Sequence, residues 1–210
     1  GELGFSAELY KGLSMNLAAS IGKFYYTSRQ QGRLTIDNQP SVNEVETIYS
    51  KNFYVPNIPQ QAYSLGLFYR SKKFWYVGAT VNFFDRFFTE IASTHRTVRA
   101  TDQVPYQSEQ WNSIINQERY NKKGQWTVDM SGGYSWRLQS TFKKMKGKHA
   151  YNAYMVINAG ISNLTNNTKF VVSGREQLRF DYLEKDAGKF PSRYSYAFGI
   201  NFYANLTFRF

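Results

Sequence analysis

The last seventeen residues of the chain, YSYAFGINFYANLTFRF, alternate apolar side chains with small or polar ones from Tyr194 to Phe210. This alternation has a period of two. It indicates a β-strand, because successive side chains of a strand point to opposite faces. Strands in globular proteins are usually about 5 or 6 residues long. The sequence therefore predicts one unusually long strand over 194–210.

Six further segments show the same period. They are residues 2–9, 13–22, 63–70, 75–83, 126–139 and 151–162. Short connections at 10–13, 71–73 and about 139–150 separate some of them, and long polar connections at about 28–61, 90–125 and 165–193 separate the others. Short turns on one rim and long loops on the other are typical of outer-membrane barrels, whose short turns face the periplasm. We therefore expect the final strand to end in the periplasm.

Aromatic residues make up 18% of the chain, and those on the apolar faces concentrate near the two predicted rims. The short-turn rim has Tyr69, Trp75, Trp136, Tyr151 and Phe208; the long-loop rim has Tyr25, Tyr63, Phe83, Phe87, Trp126, Tyr194 and Tyr196. Amphipathic rings settle at the two lipid–water interfaces of a membrane. The distribution therefore predicts two aromatic girdles around an apolar band.

The predicted fold class is all-β, an antiparallel up-and-down transmembrane β-barrel. The face opposite the apolar one carries mainly Ser, Thr, Asn, Gly and Tyr, as in a wet lumen, whereas a soluble sandwich would expose Lys and Glu there. The longest apolar run, Ala153 to Ile157, is too short for a membrane helix, which needs about 20 residues. A soluble β-sandwich that binds a ligand is the alternative, and solubility of the folded protein without detergent would favour it.

Seven strands are an odd number, whereas single-chain bacterial barrels have an even number. A seven-stranded closure would also bring its first and last strands together in parallel. We therefore expect residues 1–210 to be part of a larger barrel, which is completed either by an upstream part of the same protein or by another chain. The edges at 2–9 and 194–210 are expected to pair with strands from outside these residues.

Two stretches carry a family resemblance. The segment SNLTNNTKFVVSGREQLRFDYLEKDAGKFPSRYSYAFGINFYANLTFRF resembles the C-terminal end of TonB-dependent outer-membrane receptors of the Bacteroidota type. The segment AYSLGLFYRSKKFWYVGATVNFFDRFFTEI resembles paired strands further upstream in that family. The resemblance implies a barrel of about 22 strands around an N-terminal plug, of which this chain would hold about the last third.

The resemblance also implies a function, which is uptake of a scarce nutrient such as a siderophore, cofactor, oligosaccharide or peptide across the outer membrane of a Gram-negative bacterium. The implied partners are outer-membrane lipids, the remaining strands and plug, and TonB acting through the N-terminal part. A surface lipoprotein is a further partner that the family allows, but the tyrosine–aspartate–proline–glutamate ending of the starch-utilisation branch is not seen, which argues against a lipoprotein lid. A passive porin or an outer-membrane assembly-complex barrel is the alternative, and a plug domain would decide between them.

The chain end carries a second implied role. Phe202, Leu206, Phe208 and Phe210 resemble the C-terminal signal that the barrel-assembly machinery reads by strand addition. Alternating aromatic side chains on a free strand edge supply the specificity of such an interaction. We therefore expect this machinery to be a partner during biogenesis.

The loop segment that contains Glu176, Gln177, Arg179 and Asp181 is the nearest approach to a binding site. Binding groups concentrate on loops that a rigid scaffold holds in place, so these side chains are candidates for contact with substrate or plug at the outer mouth. The alternative is a salt-bridged loop that folds onto its own barrel.

Catalytic, metal and nucleic-acid functions have little support. The chain has no cysteine, and its two histidines, His95 and His149, are far apart, which predicts exposed loop side chains rather than metal ligands. No catalytic triad can be assembled, so we expect neither an enzyme nor a cofactor. The basic stretch KKMKGKH at 143–149 is interpreted as a solvated turn. The net charge of +11 would suit nucleic acid, but the aromatics share their face with Leu, Val and Ile.

Overall fold

The computed structural model describes residues 1–36, 38–138 and 153–209. Within these residues the chain forms thirteen strands, namely β1 (Glu2–Tyr10), β2 (Leu13–Ile21), β3 (Gln30–Ile36), β4 (Gln39–Ile48), β5 (Gln61–Arg70), β6 (Trp75–Asp85), β7 (Phe87–Phe88), β8 (Arg119–Tyr120), β9 (Gln125–Arg137), β10 (Tyr154–Ser162), β11 (Val171–Arg175), β12 (Arg193–Tyr196) and β13 (Asn201–Arg209). The helices are a 3-10 turn (Ser93–Arg96), α1 (Val98–Thr101) and α2 (Glu109–Ile115). No helix in the described ranges is long and apolar enough to cross a membrane. The chain is therefore mostly antiparallel β, which confirms the all-β prediction at that level.

Seven strands form one antiparallel sheet in the order β1-β2-β5-β6-β9-β10-β13. These are the seven segments that the alternation predicted, and each pairs with its neighbour in sequence order. The sheet is open, and within the described part of the chain β1 and β13 do not pair with each other. This agrees with the expectation that the seven strands do not close on themselves.

The prediction of one unbroken strand over 194–210 is wrong. The segment divides into β12, which pairs with β11, and β13, which pairs with β10. Between them, Asn166 Oδ1 accepts a hydrogen bond of 3.0 Å from the Ile200 N–H, and the Asn163 side chain donates one of 3.1 Å to the Phe198 carbonyl. Asparagine side chains compete well for backbone groups, and here they replace the strand ladder. Phe210 lies outside the described residues.

One face of the large sheet is apolar in every strand, and the register keeps its apolar positions aligned. Leu65 lies between Leu17 and Val81, for example, and Ile157 lies between Tyr134 and Leu206. Many of these side chains are exposed, among them Leu3, Phe5, Leu17, Leu65, Leu67, Val81, Trp126, Met130, Trp136, Ile157, Phe202, Leu206 and Phe208. No described segment covers this surface, which we call the apolar face.

The opposite face is polar, and its side chains bond laterally from strand to strand. Asn82 accepts a hydrogen bond from Ser64 and donates one to Asp129, both at 2.9 Å. Asn158 accepts a bond of 2.9 Å from Tyr76 and donates one of 3.0 Å to Asn205. Cross-strand bonds of this kind support the register of a sheet.

Aromatic rings on the polar face lie over glycines of neighbouring strands. Phe68 lies directly opposite Gly78, and a Cβ added to Gly78 would collide with its ring. The pair Tyr203 and Gly160 has the same arrangement. An aromatic ring over a cross-strand glycine covers backbone that has no side chain of its own, so these pairs also favour the observed register.

The long polar connections contain secondary structure of their own, which the sequence did not predict. The first contains the β3–β4 hairpin, whose strands pair from Gln30 with Ile48 to Ile36 with Gln39. The second and third connections contribute to a small buried core, in which Phe87, Tyr120 and Val171 pack with Phe84 and Tyr194. The assignment of Phe87 and Tyr194 to the outer girdle is therefore wrong, because both rings pack into this core.

Gln125 connects the large sheet to this core. Its side chain is 2% exposed, and it both donates to the carbonyl of Val171, at 2.9 Å, and accepts from the Val171 N–H. Buried backbone groups that lose their partner cost about 1–3 kcal/mol. We expect Gln125→Ala to speed amide exchange in residues 168–175 by about 5- to 150-fold, measured by hydrogen-exchange mass spectrometry.

The control for this experiment is Gln31→Ala. The Gln31 side chain bonds to Thr47 on the exposed β3–β4 hairpin. Surface substitutions usually change stability by less than about 0.5 kcal/mol, so exchange in 168–175 should stay at the wild-type rate. Equal exchange in wild type and Gln125→Ala would contradict the role of Gln125.

Candidate functional site

The three long connections, residues 22–60, 86–124 and 163–200, pack together at one end of the sheet, and we call them the loop cap. Asn57 Oδ1 accepts bonds from the Gly174 N–H at 2.9 Å and from Tyr120 Oη at 3.3 Å, so it contacts both other connections. The Gln117 side chain accepts from the Tyr54 N–H at 2.8 Å and donates to the Tyr54 carbonyl at 2.9 Å. Side-chain amides therefore join segments that have no common ladder.

A buried ion pair between Arg96 and Glu176 lies at the centre of the loop cap. Arg96 is 1% exposed and bonds to Glu176 Oε1. It also donates to the Asn116 carbonyl at 2.9 Å, and its guanidinium lies 5.6 Å from the centre of the Phe53 ring. The pair thus joins the second and third connections and contacts the first.

The carboxylate of Glu176 has three partners. Besides Arg96, the Ala92 N–H donates to Oε2 at 2.9 Å and His95 Nδ1 lies 3.3 Å from the same oxygen. Burial by itself would raise the pKa of Glu176, but the His95 hydrogen bond, the Arg96 charge and the Ala92 N–H outweigh it and lower that pKa. Glu176 is therefore held as a carboxylate.

The prediction of an exposed His95 is wrong. Its side chain is 10% exposed, its ring lies 4.9 Å from that of Phe180, and its Nε2 has no hydrogen-bond partner among the described residues. The physical reason is that Glu176 Oε2 lies beside His95 Nδ1 and offsets the cost of burying the polar ring inside the loop cap. Single-sequence reasoning missed both His95 and Arg96, because only the fold brings residues 95–96 to residue 176. His149 and the basic stretch at 143–149 lie outside the described residues.

The four predicted site residues have different surroundings. Glu176 is in the buried ion pair, and Asp181 accepts from Lys189 Nζ at 2.8 Å and from N–H groups of its own turn. Gln177 donates to the Pro191 carbonyl at 2.9 Å. Arg179 is exposed and lines a groove with Glu90 and Arg193. Three of the four thus contact the loop cap itself, and Arg179 faces open space.

The predicted girdle residues lie on the apolar face. Tyr69 and Trp75 are in contact at the short-turn end, with ring centres 5.2 Å apart. Trp126 and Trp136 lie at opposite ends of β9 and are both partly exposed. Tyr151 lies outside the described residues.

A partly enclosed cavity of about 320 Å³ lies beside the ion pair, and His95, Glu118, Glu176 and Tyr194 are among its lining residues. Burial, with the Glu118 carboxylate as the next cause, raises the pKa of Tyr194. In the described part of the chain no three His, Cys, Asp or Glu side chains cluster as metal ligands would. The arrangement supports ordering of the loop cap more directly than acid–base chemistry.

Comparison of the chain with protein-family models, with curated proteins and with solved structures gives no match. The function of the protein must therefore be inferred from the geometry of the sheet and loop cap, together with the sequence resemblance.

The ion pair leads to a prediction about loop-cap stability. Glu176→Gln keeps the size of the side chain but leaves the Arg96 charge buried and uncompensated, which costs about 3–5 kcal/mol. We expect limited proteolysis to cut the second and third connections much faster than in wild type. Glu184→Gln, at a carboxylate that is 71% exposed, is the matched control and should be cut at the wild-type rate.

The same carboxylate predicts a pH dependence. Because the folded-state pKa of Glu176 is lowered, its stabilising contribution is fully present above its unfolded pKa of about 4.3 and is lost as the pH falls through the lower folded value. In thermal unfolding between pH 3 and 7, the melting temperature of wild type should therefore fall at the acidic end. Glu176→Gln should lack this part of the pH dependence, and identical pH profiles for both proteins would contradict it.

Proposed function

We propose that these residues form part of the wall of a TonB-dependent outer-membrane receptor, with the loop cap at its outer mouth. The observation that supports this most directly is the apolar face, which runs across all seven strands and which no described segment covers. Soluble monomers rarely expose apolar patches larger than a few hundred Å². Lipid hydrocarbon covers such a face without any further protein, and the lateral polar network on the other side suits a wet lumen.

The aromatic positions support the same proposal. Trp126 and Trp136 are ten residues apart on β9, which corresponds to about 33 Å along a strand at about 3.3 Å per residue. A strand tilt of about 40° reduces this to about 25 Å, the height of the apolar band in outer-membrane barrels. The two tryptophans therefore match the two interfaces of one bilayer.

The connections favour a receptor over a simple pore or a soluble sandwich. All three long connections lie at one end of the sheet and pack into one loop cap, as selective binding at an outer mouth requires. A soluble sandwich would need a second sheet against the apolar face, and the described residues outside the large sheet form only two-stranded ribbons. A passive porin and an assembly-complex barrel share the wall and remain the alternatives.

In this proposal the protein binds and imports a scarce nutrient and catalyses no reaction. The remaining strands and the plug come from the rest of the receptor, TonB supplies the energy, and a surface lipoprotein is an optional partner. β13 pairs only with β10 among the described strands, and its outer edge carries Phe202, Leu206 and Phe208 on the apolar face. This free edge is what the barrel-assembly machinery would read by strand addition.

The membrane assignment predicts two classes of substitution. Arginine at Val81, Met130 or Ile157, on the apolar face, should lower folding into lipid vesicles, because a cation at the bilayer midplane costs about 2–4 kcal/mol. Arginine at Thr80 or Ser131, on the polar face of the same strands, is the matched control and should be tolerated. Equal tolerance in both sets would exclude a lipid-facing sheet.

The orientation can be tested by labelling, because the chain has no cysteine. Leu183→Cys places a thiol on the loop cap at a side chain that is 90% exposed, and Lys73→Cys places one in the β5–β6 turn. On intact cells a membrane-impermeant maleimide should label the first variant, and should label the second only after the outer membrane is permeabilised. The reverse pattern, or labelling of neither variant after permeabilisation, would contradict the proposed location.

A further inference from the structure

Two arginines lie directly opposite each other in the loop cap. Arg175 on β11 pairs with Arg193 on β12, and Gly174 with Tyr194 forms the preceding pair. Gly174 and Tyr194 face Tyr120 and the small core, so by strand alternation Arg175 and Arg193 point away from it. Like charges directly opposite each other destabilise an antiparallel pair. Without an anion between them, the two arginines therefore have an electrostatic cost.

A third arginine, Arg179, lines the same groove. The groove has a volume of about 500 Å³, and its other lining residues include Glu90, Gln177 and Glu176, whose carboxylate is paired with Arg96. Within the described residues none of the three guanidinium groups has an ion-pair partner within 4.0 Å; by contrast, Arg96, Arg99 and Arg119 each have at least one. Glu90 is next to Arg175 in the sheet, but it neutralises at most one of the three charges.

The backbone beneath these arginines is held on both sides. The backbone N–H of Glu90 donates to the Gly174 carbonyl at 2.9 Å, and the Glu90 carbonyl accepts from the Glu176 N–H at 2.8 Å, so a third extended segment flanks β11. The Gly174 N–H also donates to Asn57. The ion pair of Glu176 with Arg96 follows immediately in the chain. The arginines thus project from an ordered support, which lowers the entropic cost of binding a ligand.

We propose that Arg175, Arg179 and Arg193 form a binding site for an oxyanion, a phosphate or carboxylate group that approaches from outside the loop cap. The guanidinium group has a planar fork that matches both groups through paired N–H donors. An anion between Arg175 and Arg193 converts their repulsion into two attractions. The oxyanion comes either from a soluble nutrient or from a lipid headgroup; the nutrient assignment rests on the proposed receptor function, whereas the site itself does not.

The test measures binding of inorganic phosphate and of citrate to the full-length protein in nanodiscs of neutral phosphatidylcholine, by isothermal titration calorimetry. Arg175→Gln combined with Arg193→Gln should lower the affinity at least about tenfold, because each substitution removes a charge-assisted pair of hydrogen bonds. Lys122→Gln combined with Lys123→Gln removes the same charge elsewhere on the exposed loop cap and should stay within about twofold of wild type. Equal loss in both double variants would mean nonspecific attraction and would overturn the site.

Two further arms separate the sources of the anion and guard against misfolding. Nanodiscs that contain phosphatidylglycerol should abolish phosphate binding if a headgroup occupies the site, and should leave it unchanged if the ligand is a soluble anion. Without anion, the Arg175 and Arg193 double variant should resist proteolysis at least as well as wild type, because a repulsion has been removed. Absence of saturable anion binding by wild type in neutral nanodiscs would overturn the proposal even if the cysteine labelling supports the outer-membrane location.

Discussion

The apolar face of the large sheet must be covered, and the rest of the structure depends on this. Seven strands align their apolar positions in one register, and the described chain contributes no layer against them. Burial of apolar surface is the main favourable term in folding, at about 25 cal/mol per Å², so a sheet of this kind is stable only with a partner phase on that side. We propose lipid as that partner phase, on the basis of the aromatic spacing and the polar lateral network.

The polar face and the loop cap are ordered without a large hydrophobic core. Side-chain amides order them by bonding both the N–H and the carbonyl of one distant residue, as Gln125 does for Val171 and Gln117 for Tyr54. Around them the ion pair of Arg96 and Glu176 fixes two connections to each other. A loop cap ordered in this way holds groups such as Arg175 and Arg193 in place even though their charges repel.

Much of the fold could be predicted from the sequence. Each of the seven strands follows from a period of two, and each short turn follows from the few polar residues between two such strands. One error comes from side-chain bonds: residues 197–200 continue the alternation, yet Asn163 and Asn166 bond to the backbone of Phe198 and Ile200. The β3–β4 hairpin was missed although it contains its own turn at Asn38, which has a positive φ of 66°. Periodicity does not reveal bonds from side chains to distant backbone.

The sequence by itself determined the strands of the large sheet, which face of each is apolar and how these neighbours pair, because alternation is a local property and short turns leave one register that aligns the apolar positions. Only the tertiary structure decided the loop cap. Asn57 meets Gly174 across a separation of 117 residues, and Arg96 meets Glu176 across 80. Such contacts involve single side chains at positions without a periodic pattern. For that reason neither the buried ion pair of Glu176 nor the grouping of the exposed arginines beside it can be predicted without the packing of the three connections.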